Sequence, residues 1–225
     1  MQRFEIAPIA RIESDFSEKF GIPRQSGLVG ALTARVVFEP QYRRAEALRE
    51  IEGFSHLWLI WQFSQALTQD FRPTVRPPRL GGNRRVGVFA SRAPYRPNGL
   101  GLSCVRLLKV EDGALIVAGA DLLDGTPIFD VKPYIPYTDC HPEALPGYTA
   151  KTLEHRLAVD FPADMLALVP EDKREALLGV LACDPRPGYE DKPQEVYGLA
   201  FAGLDIGFQV KDGVLTVVRA ERKEA

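Results

Sequence analysis

Between residues 71 and 110 there is no aspartate and no glutamate, although the whole chain holds 30 acids against 28 lysines and arginines. That window carries nine basic residues: Arg72, Arg76, Arg79, Arg84, Arg85, Arg92, Arg96, Arg106 and Lys109. With a formal net charge of −2 overall, everything outside the window sums to −11. The near-neutral total therefore hides a local anion trap, since guanidinium groups bind phosphate and carboxylate as planar forks. Other scarcities narrow the classes further. Only three cysteines occur, Cys104, Cys140 and Cys183, none at disulfide or metal spacing, which fits a reducing cytoplasm. The three histidines are scattered and form no zinc or iron motif, so no metal is expected. His56, inside FSHLWLIWQF, reads as a hydrogen-bonded core histidine rather than a ligand. The opening residues MQRFEIAPIARIESDF hold no apolar run long enough for a signal peptide, and no segment is long enough to span a bilayer. There is no G-x-G-x-x-G and no strand–helix alternation, which argues against a doubly wound nucleotide domain.

What is present reads as a globular protein of 225 residues, 45% hydrophobic and 26% charged, enough for one large domain or two modest ones. The apolar runs 4–12, 32–39, 54–63, 86–91, 102–110 and 114–120 are bounded by Gly, Pro or charge and predict strands. Asp112-Gly113 between the last two runs predicts a hairpin. Residues 127–135 predict a strand with one wet face, and 43–51 a helix. Many short strands and few helices predict a mainly β fold whose N-terminal unit is a β-barrel, closed or nearly so. Pro, Gly and Thr then cluster without periodicity, as in a linker. Beyond it, a helix over 171–184 and strands over 154–161, 196–202, 205–210 and 213–220 predict a smaller α+β unit. The expected division is 1–140 barrel, 141–153 linker and 154–225 C-terminal domain.

The densest polar stretch is GVFASRAPYRPNGLGLS, residues 87–103. Arg92, Arg96 and Asn98 follow a strand in a loop punctuated by Pro94, Pro97, Gly99 and Gly101. Proline stiffens such a loop and glycine lets backbone N–H groups approach a ligand. A solubilising turn has similar composition, but two arginines with no acid nearby favour ligand binding. In FGIPRQSGL (20–28), Arg24 and Gln25 taken alone form an ordinary turn. In DLLDGTP (121–127), Asp124 either caps a loop or takes part in chemistry; Asp130 and Lys132 share a strand face and can pair. The proline-rich basic loop 72–85 is either a solubilising loop or a phosphate contact. In DPRPGYEDK (184–192), Arg186 and Tyr189 either stack on unpaired bases or anchor the loop.

These stretches together resemble one family. GVFASRAPYRPN (87–98) looks like the signature of the TrmO, or TsaA-like, family. PRQSGLV (23–29), GFSHLWLIWQFSQ (53–65), RPTVRPPRLGGN (72–83), DLLDGTPIFDVKPYIPY (121–137) and DPRPGY (184–189) resemble it in the same order. The resemblance implies a homodimer whose N-terminal barrel binds S-adenosylmethionine. It implies methylation of N6 of N6-threonylcarbamoyladenosine at position 37, just 3′ of the anticodon, in threonine tRNA. It assigns the cofactor pocket to Pro23, Arg24, Gln25, Ser64, Gln65, Arg92, Leu102, Leu122, Leu123, Asp124 and Gly125. Ser64 stands where relatives also carry His, so a contact there runs through backbone or a shorter side chain. Because the acceptor nitrogen belongs to a weakly nucleophilic urea, a proton acceptor is expected, with Asp124, Asp130 and Tyr134 as candidates. Arg92 and Arg96 are expected to bind carboxylate, and Asn98 to fix the loop or a base edge. Arg72, Arg76, Arg79, Arg84 and Arg85 are expected to track the phosphates of the anticodon stem-loop, joined by Lys132, Arg186 and Tyr189. Two other functions compete: a non-catalytic tRNA-binding or regulatory module, and an enzyme acting on small anionic metabolites.

Overall fold

The structure is a computed structural model that describes residues 2, 4–65, 71–77, 84–152, 155–186 and 192–223. Six antiparallel strands close a barrel: β1 (Ala10–Glu13), β2 (Thr33–Phe38), β3 (His56–Gln62), β6 (Leu100–Glu111), β7 (Ala114–Ala118) and β8 (Pro127–Pro133), in the order β1-β2-β7-β6-β3-β8. β8 returns to β1 through Ala10↔Ile128, so no edge is left open. A separate two-stranded ribbon, β4 (Thr74–Val75) with β5 (Val86–Gly87), stands in the excursion between β3 and β6. Alternation makes the barrel. In β3 every second residue is buried, Leu57, Leu59 and Trp61. With Ile12, Val36, Val105, Leu115, Val117 and Ile128 they fill the interior.

Four expectations are corrected. The strand predicted over 4–12 begins only at Ala10, while Phe4 and Ile6 are exposed. Pro8 has no N–H to give a ladder, so pairing starts after it. The helix predicted over 43–51 is two 3-10 turns, Ala45–Leu48 and Ile51–Gly53, interrupted at Glu50 with φ 68°. The break lets both Leu48 and Ile51 pack on the barrel core. Of the strand predicted over 86–91, only Val86–Gly87 is extended, and Val88–Ala90 is a 3-10 turn. β8 was expected to alternate cleanly. Instead Ile60 faces Asp130 while Trp61 faces Ile128, so Phe129 is an inserted residue. This bulge re-phases the strand and brings both Ile128 and Val131 to the core.

The second unit is α+β, as the sequence implied. β9 (Ala158–Asp160), β10 (Tyr197–Phe201), β11 (Leu204–Lys211) and β12 (Val214–Arg222) form a sheet in the order β10-β11-β12-β9. Asp212 and Gly213, at φ 50° and 78°, make the predicted turn between β11 and β12. After the short helices α1 (Pro136–Asp139) and α2 (Ala163–Leu166) comes α3 (Glu171–Ala182), which carries Glu171 and Asp172 in its first turn and buries Ala176, Leu177, Val180 and Leu181. The core of this unit is not made by its own residues alone. Phe16, Val29 and Leu32, from the connection between β1 and β2, are buried in it, with Phe20 and Ile22 packed against it. Lys173 Nζ reaches Asp15 at 2.7 Å, and the Arg156 guanidinium donates to the Leu28 carbonyl at 3.0 Å. A stretch that leaves the barrel is thus anchored in the second unit.

One glycine allows a close approach inside the barrel wall. A Cβ on Gly101 would lie 2.3–2.7 Å from three atoms of the Trp61 ring, and the buried ring is tied by its N–H to Ser103 Oγ at 2.9 Å. Gly101→Ala is therefore expected to destabilise the protein by about 1–3 kcal/mol. Thermal unfolding by circular dichroism should show a Tm lower by several degrees; an unchanged Tm would contradict this packing.

Candidate functional site

Pro23, Arg24, Gln25 and Ser26 form a turn in the β1–β2 connection, fastened at both ends. Gly27 N–H donates to the Gly119 carbonyl of the barrel at 2.8 Å, and the Arg24 guanidinium donates to the Arg186 carbonyl of the second unit at 2.9 Å. Arg92 is drawn to this turn from the loop after β5: its guanidinium donates to Gln25 Oε1 at 2.6 Å. Ser26 Oγ accepts the Cys104 N–H of β6 at 3.1 Å. Three segments that are far apart in the chain therefore meet beside β6.

At their junction lies a carboxylate that the sequence reading did not single out. Asp121, at the end of the β7–β8 connection nearest β7, accepts the Ser103 hydroxyl at 2.5 Å; that hydroxyl in turn accepts the Trp61 N–H at 2.9 Å. Ser103 is fully buried and Asp121 partly so. Burial pushes the Asp121 carboxyl above the usual carboxylate range, against the Ser103 hydrogen bond, backbone N–H groups and the positive charge of Arg92. The result is a partly desolvated carboxyl within the field of a cation, at the outer end of a hydrogen-bond chain that runs through Ser103 to Trp61. Only one signal was present in the sequence, a serine in the middle of the apolar run LSCV followed by an aspartate eighteen residues on, and it needs the fold to acquire meaning.

The other expected site residues are distributed as follows. Leu102 points outward from β6 and is 48% exposed, next to inward-facing Ser103. Leu122 is buried; its carbonyl accepts the Ser14 hydroxyl at 2.9 Å. The Leu123 carbonyl closes the turn by accepting Thr126 Oγ1 at 2.7 Å, and Gly125, at φ 72°, donates its N–H to the Ile12 carbonyl. Asp124 accepts the Ser14 N–H at 2.9 Å, the loop-capping alternative. Ser64 and Gln65 are exposed at the end of β3, where the Gln65 carbonyl accepts Lys19 Nζ at 2.5 Å. Arg96 donates to the Val88 and Ser91 carbonyls at 3.2 and 2.6 Å, bracing its own loop. Asn98, Arg72, Arg76, Arg84 and Arg85 are exposed. Lys132 pairs with Asp130 at 2.8 Å, and the Arg186 guanidinium grips Asp184 through two bonds of 2.9 Å. Arg79 and Tyr189 lie outside the described residues.

Tyr134 lies in a cluster with Trp58 and His56 at ring distances of 5.7 and 6.2 Å. Desolvation, then the neighbouring Cys140, Cys104 and Asp139, raise its hydroxyl above the ordinary phenol value. Tyr134 is therefore a phenol at neutral pH, able to donate a hydrogen bond and unsuited to take a proton. Asp139 beside it is lowered by the Ile135 N–H and by the Trp58 N–H at 2.9 Å. Among the described residues no group of three or more His, Cys, Asp or Glu could hold a metal ion, and no helix is long and apolar enough to cross a membrane.

The described residues form a closed antiparallel barrel followed by an α+β unit, with Gln25, Arg92, Ser103 and Asp121 gathered beside β6. Residues 11–140 match the family model of the tRNA-methyltransferase O N-terminal domain, and residues 154–223 that of the TrmO C-terminal domain. The chain belongs to the tRNA-methyltransferase O family. It is 38% identical to a tRNA (adenine(37)-N6)-methyltransferase of Escherichia coli, over 98% of this chain and 99% of that protein. It is 43% identical to a putative S-adenosylmethionine-dependent methyltransferase of Pseudomonas aeruginosa, over 89% of this chain and 90% of that one. The crystal structure of TrmO from Pseudomonas aeruginosa superposes with a TM-score of 0.81 at 33% identity, covering 99% of this chain and 98% of that one.

Proposed function

We propose that this protein is an S-adenosylmethionine-dependent methyltransferase acting on tRNA, and that its substrate is N6-threonylcarbamoyladenosine at position 37 of threonine tRNA. The observation that carries the reading is the Arg92–Gln25–Asp121 junction, in a chain that aligns over nearly its full length with relatives named as such enzymes. The residues fit the cofactor by donor set. Its carboxylate suits the Arg92 fork, its cationic centres suit the Asp121 carboxylate, and its purine suits the half-exposed face of Leu102. Pro23, Arg24, Gln25, Ser64, Gln65 and the turn from Leu122 to Gly125 complete the pocket. When bound, the cofactor supplies an electrophilic methyl group.

What the chain contributes is placement and charge. Gln25 holds the Arg92 guanidinium where it meets a carboxylate, that of the cofactor or of the threonyl group of the substrate. Asp121, whose hold on a proton is strengthened by burial, is better suited than Asp124 to take the proton of the urea nitrogen, because Asp124 caps Ser14. Tyr134 serves as a hydrogen-bond donor beside Trp58 of β3. In this reading 1–140 holds the cofactor, 154–225 braces the Pro23–Gln25 turn and 141–153 links them. The same reading has two copies of the chain pairing as a homodimer. Three free thiols support a cytoplasmic setting.

The exposed arginines Arg72, Arg84 and Arg85 are assigned to tRNA phosphates. Replacing any one by Ala is expected to reduce the slope of log affinity against log salt by about one unit, with little change in which tRNA is chosen. Filter binding across a salt series checks this, and an unaltered slope would remove that residue from the phosphate path. The function itself is tested by mass spectrometry of tRNA nucleosides from cells lacking the gene. One methyl group should be missing from the threonylcarbamoyl nucleoside. An unchanged nucleoside, together with tRNA binding but no heat on titration with S-adenosylmethionine, would leave a non-catalytic RNA-binding module.

A further inference from the structure

The excursion that carries Arg92 also carries three aromatic rings that the methyl-transfer reading does not use. Phe89 is 72% exposed, Phe71 52% and Tyr95 37%. Single exposed rings are common on protein surfaces; these three are ordered into one array. Phe71 and Phe89 stack with centroids 6.1 Å apart and planes 24° from parallel. The Arg96 guanidinium lies 5.8 Å from the Phe89 centroid, and that of Arg72 lies 4.9 Å from the Tyr95 centroid. The array is built on fixed backbone. Val88 N–H donates to the Pro73 carbonyl at 3.0 Å, β4 pairs with β5 directly beside it, and Val75 and Val88 are buried beneath as anchors. Burying Val88 leaves its neighbour Phe89 facing out. Arg96 is held by its two bonds to the Val88 and Ser91 carbonyls, which keep its guanidinium over the ring.

We propose that Phe71, Phe89 and Tyr95, interleaved with Arg72 and Arg96, form a stacking platform for unpaired bases of an RNA loop flanking the target adenine. The chemistry is specific to that occupant. Flat π-faces alternate with guanidinium planes, which is how bases splayed from a loop are held. The surrounding stretch from 71 to 110 has no carboxylate, so it attracts a polyanion and repels an acidic protein surface. The platform sits three residues from Arg92 in the chain, on the same loop as the proposed cofactor contact. This inference rests on the tRNA-methyltransferase reading and adds to it the groups that hold the loop open.

The test uses the full-length protein and an anticodon stem-loop RNA with 2-aminopurine beside the target adenine. Phe89→Leu keeps apolar bulk and removes the ring face; Phe89→Trp keeps the face. Phe89→Leu is expected to lower affinity about tenfold, to abolish the stacking quench of 2-aminopurine and to leave the salt slope unchanged, because stacking releases no counterions. Phe89→Trp is expected to retain affinity and quench. Wild-type affinity and quench in Phe89→Leu would overturn the platform. So would a loss of dimer on sedimentation of that variant, which would give the rings to a contact between chains. Wild-type protein that neither binds nor quenches the stem-loop would take down the methyl-transfer reading with it, whereas wild-type binding with an unaffected Phe89→Leu overturns the platform alone.

Discussion

Arg92→Ala is expected to lower methyl transfer to tRNA by about 100-fold, the scale lost when a contact that places reacting groups is removed. The side chain is exposed, and its guanidinium donates to Gln25 Oε1 at 2.6 Å. Losing it empties no core, so the protein should fold and its circular dichroism spectrum should be that of the wild type. The substitution also removes the positive charge that offsets burial at Asp121. Arg92→Lys restores the charge but not the planar two-pronged fork, and should recover only part of the activity. The decisive measurement is initial-rate methylation of tRNA alongside calorimetric titration with S-adenosylmethionine. Wild-type turnover in Arg92→Ala would remove Arg92 from the machinery, and full rescue by lysine would reduce its role to charge alone.

Asp121→Asn separates function from folding most sharply. A carboxyl raised by burial is held more tightly to its proton in the folded chain than in the unfolded one. The unfolded state then binds fewer protons across the window from the ordinary carboxylate value up to the raised value. Stability therefore falls as pH rises through that window. Above it the ionised carboxylate is a net cost that a neutral amide does not carry. Asp121→Asn should thus match or exceed the wild-type Tm at pH 7, an advantage that shrinks on acidification as wild-type Asp121 protonates. Methyl transfer should fall by about 100-fold or more if the carboxylate takes the proton, the scale of a lost general base. Thermal unfolding at two pH values and a pH–rate profile read the two effects independently. A variant with wild-type turnover would leave Asp121 as a structural link between Ser103 and the Gln25–Ser26 turn. A Tm well below wild type at pH 7 would contradict the raised carboxyl.

A good deal of this was legible along the chain because it is local. Period-two alternation in residues 56–62 is a property of neighbours, so β3 and its buried face could be read directly. Turn chemistry at Asp112-Gly113 and Asp212-Gly213 is equally local, and both hairpins stand where expected. The acidic first turn of α3 marked its start. Reading by neighbours failed where a distant partner decides. The bulge at Phe129 exists because β8 must match β3 on one side and β1 on the other. The 3-10 turns at 45–53 are shaped by the barrel core against which Leu48 and Ile51 rest.

By itself the sequence determined the mainly β class, the two-unit order, the acid-free cationic window and the motifs that mark the family, since each is a matter of composition or short-range spacing. Only the tertiary structure decided that the β1–β2 connection is anchored in the second core through Phe16, Val29 and Leu32. It alone brought Gln25, Arg92, Ser103 and Asp121 to one junction and gave Asp124 to Ser14. Electrostatic meaning comes from what surrounds a group in space: an aspartate becomes a poised carboxylate when chain closure desolvates it beside a guanidinium, and neither its neighbours nor its spacing carries that information.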